Sequence, residues 1–175
     1  MKTTRPFLCA FLAALAVATA SCGDSTLAGP PSPGTPQPAL IGSLAQRLGL
    51  VKCSPLPYDS VSQTVGWGGG TIHVGPHTLS IPAGALRAPV TITAVVRSDT
   101  VNAVRFGPEG LTFQQPASLT MGYANCSLVT LLLPKRIAYA SDDLKILEYL
   151  PSLDLLSLKQ VTGSVEHFSV YAVAW

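Results

Sequence analysis

The chain has 175 residues, of which 47% are hydrophobic and only 11% charged, with 11 basic side chains against 9 acidic ones. That length fits one domain with a sizeable core. So few charges, with no basic run and no acidic tail, argue against a nucleic-acid partner.

The first element is a leader. Lys2 and Arg5 precede an uncharged apolar run from Pro6 to Ala20. A positive start and a short apolar stretch make a secretory signal peptide. The run is shorter than the ~20 residues a membrane-spanning helix needs. Two processing sites compete. Ala18-Thr19-Ala20 fits a cut before Ser21, which predicts a secreted or periplasmic protein. Thr19-Ala20-Ser21-Cys22 resembles a bacterial lipobox, with Thr19 where Leu or Val is usual, and makes Cys22 a lipidated first residue. Prolines at 30, 31, 33, 36 and 38, spaced by Gly, Ser and Thr, follow Cys22 and suit an extended spacer. The favoured division is a signal peptide over 1–21, a linker over 22–52 and a folded domain over 53–175. The mature chain then meets the membrane through lipid on Cys22. In a two-membrane cell, Gly23 points to the outer membrane. Loss of Lys2 and Arg5 balances the remaining bases against the 9 acids.

Within the linker, Leu40 to Leu50 places apolar residues at 40, 41, 44 and 48, the spacing of a short amphipathic helix. Gly42 and Gly49 leave a strand or a docking segment equally open. Cys9 departs with the leader and Cys22 carries lipid, so Cys53 and Cys126 are the thiols left to pair in an oxidising compartment. A bridge across their 73-residue separation contributes ~4 kcal/mol by loop entropy.

From Cys53 the pattern is β. Val61 to Val65 is β-prone, and Trp67-Gly68-Gly69-Gly70 reads as a turn. Ile72 and Val74 share a face, as do Leu79 and Ile81 before Pro82 stops the strand. Val90, Ile92, Ala94 and Val96 alternate with Thr91, Thr93, Val95 and Arg97, and Val104 and Phe106 precede a turn at Gly107-Pro108. Leu119, Met121 and Tyr123 alternate with polar positions. Leucine-rich runs follow at 128–133, 144–150 and 153–158, read mostly as strands with Pro134 and Pro151 as breaks. The last segment, His167 to Trp175, is apolar on both faces and reads as one central strand. Short strands with Gly and Pro punctuation predict an all-β antiparallel sandwich.

Three motifs sharpen this. They are Gly69-Gly70 followed by Ile81-Pro82-Ala83-Gly84-Ala85-Leu86, then Pro108-Glu109-Gly110-Leu111-Thr112-Phe113-Gln114-Gln115-Pro116, then His167-Phe168-Ser169-Val170-Tyr171. In this order they resemble the ZU-five domain of netrin receptors, ankyrins, zonula occludens proteins and many bacterial exported proteins. The resemblance implies a β-sandwich used mainly for protein–protein interaction. It also implies a candidate self-cleavage site, because some members cut themselves between Phe and Ser of this tripeptide. Ser169 would attack the Phe168 carbonyl with His167 as general base. The step needs an oxyanion donor and a strained bond. The alternative makes Phe168 core, Ser169 a strand position and His167 a polar residue at a strand end.

Other chemistry is thin. His73 and His77 are four apart, but Gly75-Pro76 between them forbids a helix, so both read as loop or edge histidines and no metal site is expected. Asp142-Asp143 reads as a solvated turn. Ser60, Ser62 and Ser80 lack a nucleophile elbow, and Gly68-Gly69-Gly70 lacks the Lys-Ser/Thr of a phosphate loop. Trp175 closes the chain as in outer-membrane barrels, but Pro82, Pro89, Pro108 and Pro116 cut the strands too short for one. The expectation is a non-catalytic envelope lipoprotein without cofactor that binds an envelope protein or glycan. Self-cleavage and an envelope hydrolase are the alternatives.

Overall fold

The computed structural model describes residues 49–127 and 133–175. Cys22, the leader, and most of Leu40 to Leu50 lie outside the described residues, as does nearly all of the first leucine run.

Among the described residues, eleven strands run in chain order: β1 Asp59–Val65, β2 Gly70–Val74, β3 His77–Ile81, β4 Val90–Val96, β5 Ala103–Gly107, β6 Thr112–Gly122, β7 Arg136–Ala140, β8 Ile146–Tyr149, β9 Ser152–Leu155, β10 Gln160–His167 and β11 Val170–Ala174. They form two antiparallel sheets packed as a sandwich, one ordered β1-β4-β5-β11-β7-β8 and the other β2-β3-β6-β10-β9. Alternation explains the packing. Ile92, Ala94 and Val96 of β4 face Leu79, Ile81, Leu119, Met121 and Val161 across one buried core. The Gly-rich turn works by geometry. Gly69 has φ +74°, and a Cβ there would stand 2.3 Å from the Ile81 carbonyl oxygen.

Several elements differ from the sequence reading. The folded body begins by Gly49, since Leu50 bridges to Ala174, Lys52 to Val101 and the Val51 N–H donates to the Val173 carbonyl. β6 starts at Thr112, well before Leu119, and takes Pro116 into the strand. Its register with β10 jumps from Val165↔Ala117 to His167↔Thr112. A proline is tolerated at such a bulge because no ladder bond depends on its missing N–H. The two later leucine runs give short strands as read, β8 and β9, with a turn over 156–159. The segment from His167 is not one strand: β10 ends there, the chain crosses at Phe168-Ser169, and β11 enters the other sheet. β11 itself is central, between β5 and β7, and buried at every position.

Cys53 and Cys126 are joined by a disulfide with an S–S distance of 2.03 Å. Beside it Asn102 and Asn125 exchange side-chain hydrogen bonds. Asn102 Nδ2 donates to Asn125 Oδ1 at 2.7 Å, and Asn125 Nδ2 to Asn102 Oδ1 at 2.9 Å. Asn102 Nδ2 also reaches the Gly122 carbonyl at 2.9 Å. The bridge and the amide pair thus tie the entering chain to the ends of β5 and β6.

Candidate functional site

The sheet-to-sheet crossing contains the candidate cleavage residues. Phe168 is buried, with its ring 5.5 Å from Phe106 and 5.0 Å from Phe113. Ser169 is also buried. The His167 ring packs edge-on against Tyr139 at 4.9 Å. The crossing backbone is held from both sheets. The Tyr171 hydroxyl donates to the His167 carbonyl. The Phe168 N–H donates to Leu111 O at 2.8 Å, and Phe106 N–H donates to Ser169 O at 2.9 Å. The Phe168 carbonyl, the group a serine would attack, accepts one backbone N–H, from Gly110 at 3.1 Å. That is one donor of the oxyanion type. Among the described residues, the non-glycine positions with positive φ are Leu144 and Lys159, neither of them at the crossing. What the arrangement does is hold a change of sheet through the carbonyls of His167, Phe168 and Ser169 and the N–H of Phe168, the kind of pairing a buried chain requires.

The three sequence motifs meet in series. Gly84 N–H donates to Trp67 O at 2.7 Å, joining the Gly-rich turn to the Ile-Pro-Ala-Gly-Ala-Leu turn. Gln114 N–H donates to Ala85 O at 2.9 Å, joining that turn to the second motif. Gly110 and Leu111 of the second motif then clasp Phe168. Each motif is locally a turn signal, and their mutual hydrogen bonds have no signature in the sequence.

The outer face of the five-stranded sheet carries a regular array. Register aligns Thr71, Ser80, Ser118 and Ser164 in one row across β2, β3, β6 and β10. The next row is His73, Thr78, Thr120 and Thr162, ending at Leu153 of β9. Hydroxyls in a row stand on strands ~4.8 Å apart, and the rows are ~6.8 Å apart along the strands. Thr120 and Thr162 hydroxyls lie 2.9 Å apart, and His73 Nδ1 lies 3.0 Å from Thr78 Oγ1. The first row and His73 are exposed. No charged side chain stands in either row, so the face offers hydrogen bonds without a field. Sequence reading identified Ser80 as chemically idle, and only register places it in this array.

The other candidates separate. His73 lies on the solvent face of β2. His77, expected at a loop or edge, is instead buried at the start of β3 with neither ring nitrogen partnered, and burial pushes its pKa down to about 4. The two rings point to opposite sides of one sheet and do not form a joint ligand set. The first residue after a Gly-Pro turn is free to face either way, and here it continues the inward set of Leu79 and Ile81. Asp142 and Asp143 form a turn as expected. Asp142 pairs with Arg105, and Glu109 approaches the same guanidinium at 3.7 Å. Asp143 is held below its usual range chiefly by the Ser141 hydroxyl. Arg105 and Asp142, with Arg97 and Asp99, rim a groove of about 140 Å³ whose walls include Val95, Val101, Leu144 and Val170.

A buried polar group near the start of β7 had no sequence signal. Tyr123 donates its hydroxyl to Asp154, which also accepts the Lys135 backbone N–H at 2.8 Å. Lys135 is buried, its ammonium donates to Leu133 O and lies 5.9 Å over the Tyr123 ring. Burial lowers the Lys135 pKa, and the Asp154 carboxylate partly restores it. Burial, then the Asp154 bond, raises that of Tyr123. Ser60 and Ser62 lie on β1, an edge strand of the six-stranded sheet, whereas β10 belongs to the other sheet. Comparison with known protein families finds no matching family model, and comparison with curated proteins finds no match.

Proposed function

We propose that this chain is an exported, lipid-anchored, non-catalytic β-sandwich of the ZU-five type, acting as an interaction or structural module at the bacterial cell envelope. The observation that carries the binding role is the uncharged double row of hydroxyls on the five-stranded sheet, which suits a neutral, hydroxyl- or amide-bearing partner such as an envelope glycan or protein. Support for export comes from the Cys53–Cys126 disulfide, since such bridges persist in oxidising compartments. Support for the ZU-five reading comes from its three motifs being hydrogen-bonded in series. The lipid on Cys22 rests on the sequence motif alone.

The test is mild crosslinking of the membrane-extracted protein, followed by identification of what co-purifies. An envelope glycan or protein captured by the wild type and lost in Thr120→Lys/Thr162→Lys supports the reading. Equal capture by both proteins removes the hydroxyl face from the function. Palmitate labelling that disappears in Cys22→Ala tests the anchor. One observation favours self-cleavage as a second reading: the Gly110 N–H on the Phe168 carbonyl. Intact mass decides it. Full-length material after purification is the outcome we expect, and a break before Ser169 would install the cleavage reading in its place.

A further inference from the structure

β8 closes one sheet and β9 closes the other, and Leu150-Pro151 links them, so one lateral side of the sandwich is built from a single stretch of chain. Between Lys145 and Lys159 that stretch reads Ile-Leu-Glu-Tyr-Leu-Pro-Ser-Leu-Asp-Leu-Leu-Ser-Leu. Four of its leucines are at least half open to solvent: Leu147 is 51% exposed, Leu153 64%, Leu156 51% and Leu158 62%. Folded monomers rarely leave so many large aliphatic side chains open along one side unless something covers them. Of the two acids in the stretch, Asp154 is committed to Tyr123 and the Lys135 backbone, leaving Glu148 as its exposed charge.

The surroundings indicate what covers it. Tyr149 is partly exposed and carries the Arg136 guanidinium 5.9 Å over its ring. Trp175 is also partly exposed and follows Ala174, the residue paired with Arg136. Lys145 is exposed at the start of the stretch. Aliphatic side chains flanked by Tyr, Trp and cations have the composition of a surface that sits at a lipid–water boundary. The Trp175 N–H donates to Gly49 O at 2.9 Å, and a Cβ on Gly49 would stand 2.5 Å from the Tyr149 hydroxyl and 3.1 Å from the Ile146 side chain. Gly49, the first described residue, thus packs against β8 on the leucine-bearing side.

We propose that the β8–β9 side is a lipid-contact surface, with Leu147, Leu153, Leu156 and Leu158 entering the membrane interface and Lys145 and Arg136 facing anionic headgroups. This extends the lipid-anchor reading, but the surface has its own affinity and does not need the anchor to show it. The probe is the chain from residue 22 onward with Cys22→Ala, which carries neither leader nor lipid, mixed with vesicles of phosphatidylethanolamine and phosphatidylglycerol. Co-sedimentation is expected, falling roughly tenfold or more in Leu153→Ser/Leu156→Ser/Leu158→Ser and weakening when phosphatidylglycerol is left out. Should the triple variant lose its fold, Leu158→Asp in the exposed turn carries the same expectation at roughly threefold. Absence of vesicle binding, or equal binding by the variants, overturns the proposal. A dimer seen by light scattering and broken by the leucine variants, with no vesicle binding, reassigns the side to a second copy of the chain. The anchor is judged separately. Vesicle binding without palmitate on the unmodified protein keeps this surface and removes the anchor, whereas palmitate without vesicle binding keeps the anchor and removes this surface.

Discussion

β11 and the β8–β9 stretch are both strongly apolar, yet the sandwich treats them oppositely. β11, Val170–Ala174, contains no leucine and is buried at all positions. The stretch from Leu147 to Leu158 holds six leucines and is mostly exposed. Leucine count ranks them the wrong way round, and sheet order ranks them correctly. β11 has β5 on one side and β7 on the other, with Tyr171 and Val173 in the main core and Val170, Ala172 and Ala174 packed outward with Leu50, Val101 and Leu144. β8 and β9 each have one paired neighbour and one open edge. A side chain is buried by what the fold brings to it, and an edge strand receives less.

If this contrast is right, damage near the crossing into β11 is costly. Phe168→Ala removes a ring held between Phe106 and Phe113 and is expected to lower stability by about 4 kcal/mol in a denaturant titration. A loss under about 1 kcal/mol would mean that the crossing is not part of the core. The next effect is one of pH. His77 sits in the inner row between Val74 and Met121, with a folded pKa of about 4 against its ordinary 6.5. The folded form keeps the ring neutral, while the unfolded chain takes up a proton below pH 6.5. Stability is therefore complete above pH 6.5 and falls as pH drops toward 4, by a total of about 3 kcal/mol. His77→Leu is expected to flatten that slope between pH 6.5 and 4. An unchanged slope would show that carboxylates alone govern the acid limb.

Much of this architecture was legible from residue order. Alternation in Val90–Val96 and around Leu119, together with Gly and Pro punctuation, marks strands because a half-covered sheet imposes a two-residue period. The pairing of Cys53 with Cys126 followed from assigning Cys9 to a leader and Cys22 to a lipid site, which leaves two thiols. The break at Phe168-Ser169 was hidden because the apolar pattern of His167 to Trp175 runs straight through it, and a change of sheet is decided by Gly110, Leu111 and Phe106, far away in sequence. The tripeptide itself was found as a motif, but its clasp was not. The hydroxyl rows were hidden for the same reason. Thr78, Thr120 and Thr162 are ordinary strand residues until register aligns them. His77 was misread because the Gly-Pro turn before it conceals which way the next strand faces. Burial of Lys135 had no local sign either, since its position depends on the Tyr123–Asp154 contact.

Smaller effects sharpen the comparison at single atoms. The Tyr171 hydroxyl holds the His167 carbonyl across the crossing, so Tyr171→Phe is expected to cost about 1 kcal/mol, with the disulfide and fold unchanged. No change in the melting temperature would show that water replaces that bond without loss.

The smallest expected effect is the most discriminating. Leu153→Ser and Leu158→Ser each remove an apolar side chain of the kind whose loss from a core costs several kcal/mol. Both lie where water already covers most of the side chain, at 64% and 62% exposure. The folded and unfolded chains therefore solvate these groups to similar degrees, and the change in stability is expected to stay within about 0.5 kcal/mol. A leucine whose loss leaves stability unchanged is free to make a contact outside the fold. If either substitution instead costs about 2 kcal/mol in the isolated chain, the leucine is buried by the chain itself. The β8–β9 side would then be part of the core like β11, and no longer its opposite.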